Sequence, residues 1–185
     1  MENRSREGDC FPPAEEFPEI SKQHQGRKRG HRSGHWAGQR LTPGGFPVRK
    51  YVIDTNALIS FVTDRNPKQQ QRMKELFESA SLLKGLILCH SHVLTEFIYV
   101  MDRVYRVSKD RIKEMVQEFI RLPGIEVIRD IDFNSVFAFW PGVMADFGDA
   151  LVAALGKAHK GSIIVTFDQK LIKQINAAGL NVYSE

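Results

Sequence analysis

Four acidic side chains set the chemistry open to this sequence: Asp54, Glu96, Asp149 and Asp168. Singly, each has an ordinary explanation. Asp54 stands where an apolar run gives way to a helix, and Asp is a favoured helix cap there, worth about 1 kcal/mol. Asp168 repeats that arrangement. Asp146 and Asp149, three apart at another helix start, suit a cap and its acidic capping-box partner near the positive end of the helix dipole. Glu96 lies about 80° from the centre of an apolar stripe formed by Val93, Phe97, Val100, Met101 and Val104. Its carboxylate would there reach water or pair with Arg103 or Tyr99. Brought together, the acids mean something else. One pair of carboxylates ~4 Å apart costs about 4 kcal/mol at a surface-like dielectric. A hard divalent cation relieves that repulsion, and Mg²⁺ or Mn²⁺ prefers oxygen ligands. The lack of His or Cys at metal-binding spacing argues against zinc.

The elements that must position these acids follow from the apolar pattern. Tyr51, Val52 and Ile53 form a continuous apolar run, as in a parallel strand covered on both faces. After Asp54 a helix opens, and Asn66-Pro67 turns into a second helix, KQQQRMKELFESASLLKG, closed by Gly85. Leu86–Cys89 is a short strand. Ser91 caps a helix running to about Tyr105, and Ser108 caps the next. Ile125–Ile128 is a third strand, followed by a short helix around Phe133–Phe139. Asp146 opens a helix of small apolar residues, which implies burial. Ser162–Phe167 is a fourth strand, Asp168 opens a last helix, and NVYS closes as a fifth strand. Strands alternating with helices predict an α/β fold, a parallel sheet of four to five strands with helices on both faces. In such a sheet Asp54 and Asp168 lie at the same carboxyl edge, where open α/β folds place their chemistry. Glu96 and Asp149 lie near it.

VIDTNALIS, the isolated Glu of SHVLTEFIYV, DFGDALVAALGKAHKG and IIVTFDQKL, in this order and spacing, resemble the PIN-domain family, most nearly its VapC-type toxins. The likeness runs from about Lys50 to the C-terminus. It implies a three-layer α/β/α sandwich and a metal-dependent ribonuclease using Mg²⁺ or Mn²⁺. Asp54, Glu96, Asp149 and Asp168 are then the implied catalytic metal-binding acids. Asn56 and Thr166 match the polar residues beside that cluster, and Asp146, one turn before Asp149, is assigned to capping or to supporting the ligands. The resemblance further implies hydrolysis of RNA to 5′-phosphate and 3′-hydroxyl ends, a homodimer, and a cognate antitoxin segment over the active site. The helices from Pro67 to Tyr105 are candidate partner surfaces. An RNA-processing nuclease that is not a toxin, and a non-catalytic RNA-binding module, are the rival readings.

The totals bound the rest. The net charge of +4 resides entirely in residues 1–50, with 10 Lys and Arg against 6 Asp and Glu; residues 51–185 hold 16 of each. Residues 1–49 form a leader rich in Gly, Pro, Arg, His and Ser, too poor in apolar surface to offset chain entropy. Disorder is expected there, with GRKRGHR read as a solvated tail in preference to a phosphate-binding arm. Val48 is a candidate start of the translated protein, because a GUG codon can initiate in bacteria; the leader would then be upstream sequence. Residues 50–185 suit one domain. Two cysteines, Cys10 and Cys89, offer no disulfide framework, and no apolar run is long enough to span a bilayer or mark a signal peptide. A cytoplasmic protein with no membrane partner is expected. Lys68, Arg72 and Lys74, or Arg103, Arg106 and Arg111, could form a basic rim for RNA. His90 and His92 read as capping or surface residues, although one could contact RNA. Phe137, Phe139 and Trp140 read as core in preference to base-stacking residues.

Overall fold

The computed structural model describes residues 48–183. The expected disordered leader lies outside the described residues except for Val48 and Arg49, and Arg49 already belongs to the first strand. In chain order the elements are β1 (Arg49–Ile53), α1 (Thr55–Val62), α2 (Pro67–Ser81), β2 (Gly85–His90), α3 (Ser91–Arg103), α4 (Lys109–Arg121), β3 (Ile125–Ile128), α5 (Phe133–Phe137), α6 (Phe147–Ala158), β4 (Ile163–Val165), α7 (Gln169–Ala177) and β5 (Asn181–Val182).

All five strands run parallel, in the order β3-β2-β1-β4-β5. The α/β/α sandwich expected from the sequence is therefore present. The chain lays down β1, β2 and β3 to one side, then crosses back to place β4 and β5 on the other. That reversal opens a crevice at the carboxyl ends of β1 and β4, where parallel open sheets bind their ligands. Tyr51 to Ile53 and all six residues of β2 are buried, as apolar strands covered on both faces must be. Helix α6 packs across β1, β2 and β4, and every residue from Ala150 to Gly156 is buried. Its close approach to β4 depends on Gly156: a Cβ there would lie 2.7 Å from Ile164 Cδ1.

Three local expectations are corrected. Helix α2 stops at Ser81, not at Gly85. The reversal is made by Leu83, in the left-handed region at φ 58°, and Gly85 opens β2 instead. Strand β2 runs one residue beyond Cys89, so the cap of α3 falls on His90 and not Ser91. His90 Nδ1 accepts the His92 N–H at 3.1 Å. The stripe of α3 is shorter than expected: Val93, Phe97 and Met101 are buried, but Val104 is 65% exposed because the helix ends before it. No helix among the described residues is long and apolar enough to cross a membrane.

Candidate active site

Asp54 ends β1 and caps α1. It is only 8% exposed. One carboxylate oxygen accepts the Thr55 N–H at 2.7 Å and the other accepts the Thr166 hydroxyl at 2.8 Å. Burial still dominates. It pushes the Asp54 carboxyl up to about 7 against those two hydrogen bonds, with smaller upward contributions from Asp149 and Glu96.

Thr166 follows β4 and is 1% exposed. Its hydroxyl gives its proton to Asp54 and accepts from the Asn56 amide at 3.0 Å and the Asp168 N–H at 3.2 Å. The Asn56 carbonyl oxygen in turn accepts the Phe167 N–H at 2.9 Å. The starts of α1 and α7 are thereby tied together across the crevice. These bonds set Asn56 and Thr166 beside Asp54.

The other acids enter from three helices. Asp146 caps α6, its Oδ1 accepting the N–H groups of Gly148 at 2.8 Å and Asp149 at 3.1 Å. Asp149 lies in the first turn, half-buried. Burial first, then the charges of Asp146, Asp168 and Glu96, raise its carboxyl to about 6, while the Lys170 ammonium offsets part of the rise. Asp168 is exposed and caps α7 through the N–H groups of Lys170 at 2.7 Å and Leu171 at 3.0 Å. Glu96 is exposed on α3, and its Oε2 accepts the Thr55 hydroxyl at 2.6 Å. It pairs with neither Arg103 nor Tyr99; Arg103 reaches Asp102 instead.

Thr55 is the residue the sequence reading missed. It is buried and holds Glu96 to the same turn that carries Asp54. The only signal was a hydroxyl placed directly after the capping acid. Lys170 was also missed, because its relation to Asp149 depends on how α7 packs.

Among the described residues, no three His, Cys, Asp or Glu side chains are grouped tightly enough to hold a metal ion as they stand. The chemistry of the donor set nevertheless fits a hard divalent cation. Every donor is a carboxylate oxygen, burial and the neighbouring acids raise the proton affinity of Asp54 and Asp149, and Lys170 offsets only part of the rise at Asp149.

Two grooves flank the acids. One, of about 440 Å³, is bounded by Asn56 and Asp168; the other, of about 420 Å³, by His92, Glu96, Tyr99 and Asp146. Of the aromatic residues considered from the sequence, only Phe139 is core. Phe137 is 54% and Trp140 36% exposed, in a ring cluster with Phe133 and Phe147 beside the second groove.

The PIN domain family matches residues 51–177, which span every one of these acids. The chain belongs to that family. PIN domains are typically nucleases and generally use divalent metal ions. Among solved structures, this PIN domain is similar to VapBC2 from Rickettsia felis bound to a DNA fragment from its promoter, with TM-score 0.49, 17% identity, and coverage of 72% of this chain and 97% of that one. It is also similar to PAE2754 from Pyrobaculum aerophilum, with TM-score 0.47, 15% identity, and coverage of 68% and 84% respectively. No curated protein matches this PIN domain.

Proposed function

We propose that this chain is a Mg²⁺- or Mn²⁺-dependent endoribonuclease and the toxin of a type II toxin–antitoxin pair, acting in the cytoplasm as a homodimer. Residues 50–185 would form the nuclease domain and residues 1–49 a basic leader. One observation carries the nuclease reading: Asp54 and Asp149, at the carboxyl edge of the sheet, are both pushed towards neutrality by burial and by the acids facing them. Within a PIN domain that is the signature of ligands waiting for positive charge. The toxin reading rests on the motifs shared with VapC-type sequences.

Asp54, Glu96, Asp149 and Asp168 would hold the ion. When bound, it supplies positive charge to the scissile phosphate and acidifies a water. Thr166 and Asn56 hold the Asp54 carboxylate in place, and Thr55 holds that of Glu96. Asp146 keeps the first turn of α6 formed and so fixes Asp149. A carboxylate of the cluster would take the proton of the attacking water as the water oxygen bonds to phosphorus; the bond from phosphorus to the 3′ oxygen would break and that oxygen would take a proton from solvent, leaving 5′-phosphate and 3′-hydroxyl ends.

The test is cleavage of a structured RNA pool in Mg²⁺ or Mn²⁺, native against Asp149→Asn. Asn keeps the size of the side chain, so metal-dependent cutting lost in a still-folded variant supports the reading. Equal cutting by both proteins removes Asp149 from the site. No cutting, with no stabilisation by metal, leaves an RNA-binding module in place of an enzyme.

A further inference from the structure

The groove bounded by Asn56 and Asp168 has a construction that the acids do not require. Its apolar lining comes from Ile59 of α1, Val100 of α3, Val104 just past the end of α3, and Phe167, with the hydroxyls of Ser60, Thr63 and Tyr105 among them. Val104, stranded at the end of α3 and 65% exposed, has its surface here. Arg65, Asn66 and Gln69, at the entry to α2, add amide and guanidinium groups to the lining. The acceptor oxygens of the two amides are each engaged once. Asn66 Oδ1 accepts the Gln69 N–H at 3.2 Å, and Gln69 Oε1 accepts the Ser60 hydroxyl at 3.1 Å. Each amide keeps one acceptor lone pair and its two N–H donors, and the guanidinium of Arg65, of which one nitrogen contacts Tyr105 Oη at 3.5 Å, adds donors alone, so donors predominate among these three side chains.

A groove of about 440 Å³ that combines apolar side chains with a donor-rich set of polar ones suits a flat ring with acceptors on its edge. A phosphate would meet one cation, and it would lie over apolar side chains that give it nothing. A nucleobase with carbonyl oxygens on its edge meets both kinds of side chain. We propose that this groove is a base-recognition subsite for a carbonyl-rich base, uracil or guanine, in the nucleotide next to the scissile phosphate. The placement follows from Asp168 and Asn56, which belong to the groove wall and to the acid cluster alike. The proposal rests on the ribonuclease reading above.

Single-stranded RNA oligonucleotides that differ only in the bases beside the cut, with Mn²⁺ and the full chain, test it. The proteins compared are native, Arg65→Ala and Gln69→Ala, both altered in the groove lining. The native protein should prefer uracil or guanine at one position beside the cut. Each variant should lose about tenfold of that preference in kcat/KM, the value of about one hydrogen bond, while its Tm and its stabilisation by Mn²⁺ stay unchanged. A native protein indifferent to base identity, or variants with native preference, overturn the proposal with the nuclease reading intact; the groove then suits a protein segment instead. If the native protein does not cut, anisotropy of the same labelled oligonucleotides without metal decides. Binding weakened by both variants supports the groove while the nuclease reading fails. Native-like binding by the variants, or no binding at all, overturns it.

Discussion

Thr166 donates its hydroxyl to Asp54 at 2.8 Å across 112 positions of the chain. This one bond closes the crevice between β1 and β4, whose register pairs Ile53 with Val165 just before it. Both partners are buried. Replacing Thr166 by Val keeps the shape and removes the hydroxyl, leaving Asp54, the Asn56 amide and the Asp168 N–H each short of a partner. We expect a loss of about 1–3 kcal/mol, the usual cost of a stranded buried polar group, read by urea denaturation. A stability change within error would mean that water replaces the hydroxyl and that the crevice is wetter than described.

The metal-free protein should become more stable on mild acidification. The Asp54 carboxyl ionises near its ordinary value of 3.8 when unfolded, but near 7 when folded. Below about pH 4 both states hold the proton and burial costs nothing extra. Between about 4 and 7 the unfolded chain releases it while the folded chain keeps it, so stability falls as pH rises and levels off above 7. The gap corresponds to roughly 4 kcal/mol at most. His90 and His159, which burial holds below the usual imidazole value, slope the other way, so Tm in chelator is compared between the native protein and Asp54→Asn; a native profile that falls no more steeply from pH 5 to 7 than the variant's would contradict the burial of Asp54 without a counter-ion.

Divalent ions should reverse that slope. A cation ligated by Asp54 and Asp149 must displace the protons they keep up to about 7 and about 6. Mg²⁺ or Mn²⁺ affinity should therefore weaken as pH falls from 8 to 5, with proton release on binding near pH 6.5. Calorimetry in two buffers of different ionisation enthalpy measures the protons directly. Release of none would place the ion away from these two acids.

A separate prediction concerns the scaffold. Gly124 has φ 75°, and a Cβ there would fall 2.2 Å from the carbonyl oxygen of Ala80. Ala at this position meets both a disfavoured backbone region and an unyielding backbone atom in α2. The cost should be roughly 3 kcal/mol, seen as a large drop in Tm without change in metal affinity per folded molecule.

Much of this was legible before the fold was known. The apolar runs at Tyr51–Ile53 and in β2 mark buried parallel strands, because nothing in them alternates. Asp54, Asp146 and Asp168 were readable as caps, and all three cap helices. Local reading failed where a neighbour decided the outcome. Leu83 takes the left-handed turn that composition assigns to Gly85, because β2 needs Gly85 as its first residue. Glu96 turns to Thr55, 41 residues away in sequence, which no helical spacing can reveal. Phe137 and Trp140 look like core by type, yet the short helix α5 turns Val136 inward and leaves Phe137, and Trp140 just beyond it, partly outside.

The dispersal of the acids along the chain also bears on when the protein can act. Asp54 emerges early in synthesis and its Thr166 partner 112 positions later, with Glu96 and Asp149 in between. Strand β4 must enter beside β1 before the crevice has two walls. A nascent chain halted before β4 would carry Asp54, Glu96 and Asp149 but neither Thr166 nor Asp168. The site proposed for nuclease chemistry is thus incomplete until nearly the whole domain has been made.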